Sequence, residues 1–371
     1  MHFFKSLISL LKFNSLDKNK KKFIFFSESS YYRDYYIDLI INLKKLGETN
    51  IILVTSDLED EKYFKNILPC FYIKNLFILR VFFQILECKF MLMTLTDLGK
   101  NIPKSKKCQY YVYYFHAIAS THKVYTHTAF SNYDIILANG NYQVNELRSA
   151  ELNFGFNKKK IVNSGYFFLD NLKKQANLNL KEHRNILFAP SWNYNNKNLF
   201  DDYSEKIISN LLENNFKIIL RPHPEHYKRS AKTLFKIEKK FLKNKNFLLD
   251  KNFSNLKSLE RAEILITDNS AIVFEYVFIF KRPILYLEYS DKIHNDKLDK
   301  MKINTLDDDF KNKFGKILSI KNLEQLNNIC EELMKKNTIS QSEVEIFMKE
   351  KLFNINNSAE YAVNYLIRNY K

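Results

Sequence analysis

Short apolar runs alternate with amphipathic stretches along this chain. In the first half the runs are KFIFFS, NIILVTS, KFMLMTL, QYYVYYF and YDIILAN; in the second half they are NILFAPS, FKIILRP, NFLLD, EILITD and RPILYLE. Strands buried on both faces of a parallel sheet have nearly continuous apolar runs, and the segments between these runs have helical spacing, as in YYIDLIINLKKLG. The pattern predicts an α/β protein built on mainly parallel, doubly wound sheets.

The alternation breaks at the polar tract NLKKQANLNLKEHRN, which we interpret as an interdomain linker. A length of 371 residues also favours about two domains. We therefore predict two doubly wound domains that face each other across a cleft holding the functional site. The predicted divisions are an N-terminal segment 1–22, a first α/β domain 23–175, a second α/β domain 184–345 and closing helices 346–371.

The formal net charge of +17 indicates an anionic partner. Nucleic acid, a phosphate-bearing small substrate and an anionic membrane surface all qualify. We predict no nucleic-acid partner, because the sequence has no zinc finger, RNP motif or basic helix and its aromatic residues lie inside apolar runs. The four scattered cysteines, without a CxxC pair or metal-ligand spacing, indicate a reducing, cytoplasmic compartment and no metal site.

The N-terminus reads MHFFKSLISLLKF and is followed by DKNKKK. A helix here places Phe3, Phe4, Leu7, Ile8 and Leu11 on one apolar face ahead of a basic cluster. This pattern predicts a peripheral attachment to the inner face of the cytoplasmic membrane; the alternative is a helix that docks on the first domain. Because a signal-peptide cleavage site is absent and the longest apolar tracts are interrupted by charges, we predict no membrane-spanning segment.

Polar residues of catalytic type follow four of the predicted strands, and the carboxyl ends of parallel strands meet at the ligand-binding edge of an open sheet. These residues are His116, Ser120, Thr121 and His122; Ser191 and Trp192; Arg221 and His223; and Asp268, Asn269, Ser270 and, farther on, Glu275. The six glycines form neither GxGxxG nor GxxxxGK[ST], so we expect side chains, hydroxyls and helix N-termini to hold any phosphate.

The stretch RPHP places His223 between two prolines. Pro222 and Pro224 restrict their own backbones and bias Arg221 and His223 towards extended geometry. A restrained imidazole beside a guanidinium, whose fork suits phosphate oxygens, predicts an anion clamp. The alternative is a strand terminator whose histidine caps a neighbouring carbonyl.

The stretch TDNSAIVFEY predicts a strand, a turn and the start of a helix. Asn269 or Ser270 would cap the helix, whose N-terminus would then face a phosphate. Asp268 and Glu275 are candidates for binding a ribose hydroxyl or orienting a histidine. An ordinary helix cap is the alternative interpretation.

His116 ends an aromatic strand, and a neutral imidazole near pH 7 can take a proton from an attacking hydroxyl. The alternative is a buried histidine bonded to a carbonyl. His122 is a weaker candidate. The other histidines are predicted to lie on the surface or in loops: His2, His127, His183, His226 and His294.

Five motifs in order, YYFHAIASTHKVYTHTAFSNYDIILANGNYQVNELR, IVNSGYFFLDNL, ILFAPSWN, LRPHP and ITDNSAIVFEYVFIFKRPILYL, resemble the CDP-glycerol glycerophosphotransferase family. Its members are bacterial membrane-associated enzymes of teichoic-acid and capsule synthesis. The tail NINNSAEYAVNYLI is similar to the closing helix of that family. The resemblance implies a GT-B-like fold of two Rossmann-like domains, the first on the acceptor side and the second binding the nucleotide donor.

The resemblance also implies an activity. An alditol phosphate would pass from a CDP-activated donor to a hydroxyl of a cell-surface glycan or lipid-linked acceptor, without a cofactor or metal. The implied catalytic residues are His116 and His223; the implied donor contacts are Arg221, Ser191, Asp268, Asn269, Ser270 and Glu275; Ser120, His122 and Trp192 are secondary candidates.

The sequence departs from the family pattern at three places. HAIASTH stands where many members have His-Gly followed by Thr-Pro, DNSA stands for Asp-Tyr-Ser-Ser, and Glu275 replaces an aspartate. These departures leave the transferred group open. The alternative function is that of a GT-B nucleotide-sugar glycosyltransferase in capsule or lipooligosaccharide synthesis.

Overall fold

The computed structural model describes residues 2–193, 197–252, 254–301, 303–336 and 338–370.

The chain divides into two compact units. Unit 1 comprises residues 1–171, 296–301 and 351–371, and unit 2 comprises residues 172–295 and 302–350. The division falls at Asn171, the first residue of the polar tract that was interpreted as a linker. The C-terminal segment from Lys351 belongs to unit 1.

Within the described part of unit 1, seven strands form one parallel sheet. They are β1 Phe23–Ser27, β2 Ile51–Thr55, β3 Cys70–Tyr72, β4 Cys88–Met93, β5 Cys108–Tyr114, β6 Ile135–Ala138 and β7 Lys160–Asn163. Their order is β3-β2-β1-β4-β5-β6-β7. The five apolar runs of the first half are β1, β2, β4, β5 and β6. The two edge strands, β3 and β7, were not predicted because they are short and partly exposed.

In unit 2, the described residues form a parallel sheet of six strands. They are β8 Asn185–Phe188, β9 Lys217–Leu220, β10 Phe247–Leu249, β11 Ile264–Thr267, β12 Ile284–Glu288 and β13 Gly315–Ser319. Their order is β10-β9-β8-β11-β12-β13. The five runs of the second half are β8 to β12, and the partly exposed edge strand β13 was not predicted.

The helices follow the strands in the alternation that the sequence predicts. They are α1 His2–Asn14, α2 Arg33–Lys45, α3 Leu58–Phe64, α4 Leu76–Ile85, α5 Thr121–Val124, α6 Asn141–Phe154, α7 Phe167–Gln175, α8 Leu199–Glu213, α9 Pro224–Arg229, α10 Ala231–Phe241, α11 Leu256–Arg261, α12 Ile272–Phe280, α13 Leu306–Phe314, α14 Leu326–Lys336, α15 Gln341–Lys351 and α16 Ser358–Asn369. No helix in the described part of the chain is long and apolar enough to cross a membrane.

Both sheets are doubly wound, as predicted. Phe23 and Phe25 of β1 belong to the apolar core on one face of the sheet, whereas Ile24 and Phe26 belong to the core on the other face. This alternation follows from the two-residue period of a strand and explains why the whole run is apolar. In each unit the strand order reverses beside the first strand, between β1 and β4 and between β8 and β11. Ligands of open α/β sheets bind at such a switch point.

The N-terminal helix α1 docks on unit 1, against α4 and β3. Ser6, Leu10 and Phe13 are buried there, and the Ser6 hydroxyl accepts hydrogen bonds from the amides of residues 74 and 75. Of the predicted apolar face, Leu7 packs against the core of unit 1, whereas Phe3, Phe4, Ile8 and Leu11 remain exposed; Phe4 retains 70 % of its accessible surface. One side of α1 therefore docks on the first domain, as the alternative predicts, while its other side is exposed.

The C-terminal segment closes unit 1. Ala359, Ala362 and Val363 of α16 are buried in the core that contains Phe23 and Phe25. The chain that leads into α16 passes so close to the loop after β6 that a Cβ at Gly140 would lie 1.7 Å from the carbonyl oxygen of Lys351. Only glycine is compatible with this approach, so the closing helix depends on a residue at the N-cap of α6.

Candidate functional site

The predicted strand ends of unit 2 lie side by side. β8 lies between β9 and β11, so the residues that follow these three strands share one edge of the sheet. Ser191 follows β8, Arg221 and His223 follow β9, and Asp268 follows β11. This carboxyl edge includes the switch point between β8 and β11. The prediction that these residues gather at one edge of a sheet is therefore confirmed for the residues of unit 2.

Asp268 and Ser191 join the two strand ends at the switch point. The amide and the hydroxyl of Ser191 donate to the two carboxylate oxygens of Asp268, at 2.7 and 2.9 Å. Both residues are buried, at 5 % and 1 % exposure. A two-point contact of this kind is rigid, because the charged acceptor strengthens both bonds. Asp268 thus holds the loop after β8 in position.

The N-terminus of α12 differs from the expected cap. Of the side chains that the structure describes, none caps this helix, and the N-cap position is Ala271. The side-chain amide of Asn269 instead donates to the carbonyl of Ser290 at 2.8 Å, so this side chain does not cap the helix. The prediction that Asn269 or Ser270 caps α12 was therefore wrong. Ser270 lies half-buried at the start of the turn, beside the uncapped helix end.

Glu275 lies in the first turn of α12 and is buried, with 4 % exposure. A carboxylate at this place complements the positive end of the helix dipole. Glu275 therefore stabilises the first turn of α12 electrostatically.

Arg221 is held by an ion pair. One of its terminal nitrogens lies 2.6 Å from a carboxylate oxygen of Asp250, which follows the neighbouring strand β10. Burial alone would raise the pKa of Asp250, but the Arg221 guanidinium, the Ser258 hydroxyl and the Asn252 amide hold that pKa below its ordinary value. The Arg221 guanidinium is thus oriented by a carboxylate that also neutralises part of its charge.

His223 forms the N-cap of α9. Its backbone is extended, with φ −61° and ψ 145°, as the flanking prolines predict. The ring Nδ1 accepts a hydrogen bond from the amide of Glu225 at 3.2 Å. In a neutral imidazole this contact assigns the proton to Nε2, which makes Nε2 a donor suited to an anion. The histidine therefore caps an amide of its own helix.

His226 was predicted to lie on the surface, and this prediction was wrong. The residue is fully buried, its ring stacks on Phe200 of α8 with the centroids 4.2 Å apart, and Trp192 packs against it edge-on at 5.2 Å. Burial lowers the pKa of His226 to about 4, so the ring is neutral at physiological pH. Trp192, a secondary candidate, is itself buried by this contact.

In unit 1, His116 follows β5 and lies half-buried. Its Nδ1 lies 2.7 Å from the hydroxyl oxygen of Thr94, which follows the neighbouring strand β4. The rings of Tyr32, Tyr35 and Tyr125 surround the imidazole edge-on, at centroid distances of 5.5, 6.1 and 6.5 Å. A hydroxyl and three aromatic rings therefore fix the orientation of the His116 side chain. Thr94 and Tyr32 come from the loops of β4 and β1, on the two sides of the switch point.

His122 lies in the protein interior. Its Nδ1 is 3.2 Å from a carboxylate oxygen of Glu146, and both side chains are 1 % exposed. The amide and hydroxyl of Thr121 donate to the other oxygen of Glu146. Burial raises the pKa of Glu146, against the opposing effects of His122 and Thr121. Ser120 precedes α5 at its N-cap and is fully buried. This cluster is a packed polar contact between α5 and α6.

Several residues of the site were not predicted from the sequence. Thr94, Asp250 and Glu146 hydrogen-bond to predicted residues that lie 22 to 29 positions away in the chain, so local patterns do not reveal them. The position of Thr94, directly after an apolar run, was a usable signal. Over the described residues, no group of three His, Cys, Asp or Glu side chains is arranged to hold a metal ion.

The chain is similar to two curated proteins of Bacillus subtilis (strain 168). It is 24 % identical to the teichoic acid glycerol-phosphate primase over 175 residues, which are 45 % of this chain and 43 % of the primase. It is 26 % identical to the minor teichoic acid biosynthesis protein GgaB over 171 residues, which are 40 % of this chain and 17 % of GgaB. The matches therefore span less than half of each relative.

Solved structures share the fold over nearly the whole chain. The wall teichoic acid polymerase TagF superposes with a TM-score of 0.58 at 18 % identity, covering 99 % of this chain and 97 % of that one. MnaA of S. aureus, solved with UDP, superposes with a TM-score of 0.61 at 13 % identity, covering 94 % and 96 %. The GT-B-like fold class is confirmed by these neighbours and by the two parallel sheets. Since residues 80–367 match its family model, the chain belongs to the CDP-glycerol:poly(glycerophosphate) glycerophosphotransferase family.

Proposed function

We propose that this protein transfers an alditol phosphate of the glycerol-phosphate kind from a CDP-activated donor to a hydroxyl of a cell-surface glycan or lipid-linked acceptor. The family match over residues 80–367 carries the proposal, because it includes His116 and all the strand ends of unit 2. The two curated relatives support it, since both are named for teichoic acid synthesis.

Unit 2 is proposed to bind the donor. Its carboxyl edge presents the imidazole of His223, the guanidinium of Arg221 and the uncapped N-terminus of α12. These hydrogen-bond donors suit phosphate oxygens, because a helix N-terminus carries partial positive charge and the arginine guanidinium binds oxyanions through two N–H groups. The Ser191–Asp268 contact keeps the loops of β8 and β11 in register beside them.

His116 is proposed to be the general base. In the reaction the acceptor hydroxyl oxygen forms a bond to the β-phosphorus of the donor, and the bond from that phosphorus to CMP breaks. The hydroxyl proton passes to His116, and CMP leaves with the electron pair. The contact with Thr94 supports this role, because a base must keep one ring orientation through the reaction. The proposal invokes no cofactor; the CDP-activated donor is a substrate.

A donor panel tests the proposed function. The purified protein is incubated with CDP-glycerol, CDP-ribitol, UDP-sugars and CMP-sugars, each with a lipid-linked glycan acceptor, and nucleotide release and product mass are measured. We expect CMP release and a mass increase of one alditol phosphate with a CDP-alditol only. Transfer of a sugar from a UDP- or CMP-sugar would instead establish the glycosyltransferase alternative.

We also propose that unit 1 attaches peripherally to the inner face of the cytoplasmic membrane. Phe4, Ile8 and Leu11 of α1 are exposed, and the helix packs against α4, whose Leu76 and Phe77 are exposed at 77 % and 68 %. We call these five side chains the apolar patch. Scattered exposed apolar residues are common, but a patch spanning two packed helices is typical of a membrane or protein contact.

The charges around the apolar patch favour an anionic lipid surface over a protein partner. Lys12, Lys74 and Arg80 are exposed on or next to the same two helices. The predicted basic cluster contributes less than expected, since Lys18 pairs with Glu87 at 2.7 Å and Lys22 with Glu48 at 2.5 Å. The apolar side chains are therefore the main proposed contact, and the lysines and arginine add an electrostatic attraction of about 1 kcal/mol each.

A further inference from the structure

The carboxyl edge of unit 2 is short of positive charge for the donor proposed above. Asp250 is bound to Arg221 at 2.6 Å and offsets its charge. Asp268 adds a second buried carboxylate at the same edge. A CDP-activated donor brings a diphosphate to these residues, and binding an anion beside two carboxylates requires a further cation.

The segment after β12 supplies a candidate at that edge. The carbonyl of Ser290 accepts a hydrogen bond from Asn269 at 2.8 Å, and the carbonyl of Asp291 accepts one from Asn193 at 3.0 Å. Asn269 follows β11 and Asn193 follows β8, so these two bonds attach the segment to both sides of the switch point. The next residue along the chain is Lys292.

The side chain of Lys292 is half-buried and has no strong partner. Among the residues that the structure describes, no carboxylate oxygen lies within 4 Å of its ammonium nitrogen, whereas Arg221 and many surface lysines are paired. Its charge interacts at longer range with Asp268 and Asp307. A lysine drawn from water without a close counter-ion is destabilising by itself, which suggests a ligand that supplies the counter-charge.

We propose that Lys292 contacts the diphosphate of the nucleotide donor. This inference rests on the proposed function, because it takes the donor to be a nucleoside diphosphate ester. In the free protein Lys292 and Asp268 share a weak interaction; in the complex the ammonium donates to phosphate oxygens beside His223 and the α12 N-terminus. Removal from bulk water lowers the pKa of Lys292, against the opposing effects of Asp268 and Asp307, and a bound diphosphate would reverse this change.

Binding measurements on variants test this inference. Lys292→Gln removes the charge, Lys292→Arg keeps it, and Lys245→Gln removes a lysine at the opposite edge of the sheet, before β10. Affinities for CDP and inorganic pyrophosphate are measured by calorimetry, affinity for cytidine by ligand-observed NMR, and folding by melting temperature. We expect Lys292→Gln to bind CDP about tenfold or more weakly and cytidine unchanged, as for the loss of one charge-assisted hydrogen bond. Lys292→Arg should bind CDP nearly as the wild type does, and Lys245→Gln should be indistinguishable from it.

The outcomes separate this inference from the proposed function. If the wild type binds CDP and Lys292→Gln binds it equally well, the inference is overturned and the proposed function stands. An equal loss of cytidine and CDP affinity would show that Lys292 shapes the pocket, and this too overturns the inference. If the wild type binds neither CDP nor pyrophosphate, the proposed donor and the role of Lys292 are both rejected.

Discussion

The guanidinium of Arg221 lies 2.6 Å from the carboxylate of Asp250, whose side chain is only 2 % exposed. The two residues follow adjacent strands, β9 and β10, so the ion pair also joins two strand ends of the proposed donor site. Removing Arg221 has two effects because of this contact. It removes a phosphate ligand and leaves a buried carboxylate without its counter-ion.

We expect Arg221→Ala to weaken CDP binding and to lower the free energy of unfolding by about 1–3 kcal/mol, the cost of an unsatisfied buried group. Calorimetry with CDP and chemical denaturation measure the two effects. The double variant Arg221→Ala/Asp250→Asn is the control, because it removes the carboxylate charge as well. It should recover part of the stability and none of the affinity. Recovery of CDP affinity in the double variant would contradict the assignment of Arg221 to the phosphates.

The buried His226 predicts a pH dependence of stability. Its pKa is about 4 in the folded protein and about 6.5 when unfolded, so between these values the unfolded chain binds a proton that the folded protein does not. Stability from this residue is therefore complete above pH 6.5 and is lost as the pH falls towards 4, by about 3 kcal/mol in all. Urea denaturation at pH 7.5, 6, 5 and 4.5 measures the change.

Other groups also titrate in this range, so His226→Gln is the reference for the pH series. The difference in unfolding free energy between wild type and His226→Gln should shrink steadily on acidification. If the difference stays constant from pH 7.5 to 4.5, the histidine is not buried as a neutral group against Phe200.

Much of the fold follows from the sequence, because strands buried on both faces leave a nearly continuous apolar run. The edge strands β3, β7 and β13 were not predicted, because exposed positions interrupt their apolar runs. The fourth edge strand, β10, was predicted because its run, NFLLD, stays apolar. The burial of His226 depends on which face of α9 meets α8, and a six-residue helix has too few positions to define a face.

The contacts inside the site were beyond sequence patterns. Ser191 and Asp268 are 77 residues apart, and they meet only because β8 and β11 are neighbours in the sheet. The sequence predicts that these residues meet at the carboxyl edge. It does not predict the order of the strands along that edge, and this order decides which residues pair. The bond from Asn269 to Ser290 depends on the β11 and β12 neighbours in the same way and displaced the expected helix cap.

The apolar patch predicts how membrane binding can be removed without damage to the fold. Deleting residues 1–16 would also remove Leu10 and Phe13, which are part of the core of unit 1. The variant Phe4→Ser/Leu11→Ser/Phe77→Ser changes exposed side chains only, and we expect it to bind liposomes of phosphatidylglycerol at least tenfold more weakly than the wild type, since each buried apolar side chain contributes about 1.5–3 kcal/mol.

Liposome flotation measures this binding, and turnover on a soluble acceptor should be unchanged. Leu152→Ser is the matched control, because Leu152 is 84 % exposed on α6, apart from the patch. Equal flotation of the triple variant and the Leu152→Ser control would exclude the patch as the membrane contact.

His116 of unit 1, held by Thr94, and His223 of unit 2 are predicted to have different roles. A general base is needed only for proton removal, so His116→Ala should lower turnover by about 10²–10⁴ while CDP affinity stays close to that of the wild type. His223→Ala should lose affinity and turnover together, because His223 lies at the proposed donor site of unit 2. Thr94→Val keeps the base but removes the hydroxyl 2.7 Å from its Nδ1, so it should lower turnover by a smaller factor, and Thr94→Ser should restore it. Steady-state kinetics, calorimetry with CDP and melting temperatures distinguish these effects; normal turnover per folded molecule in His116→Ala would reject His116 as the base.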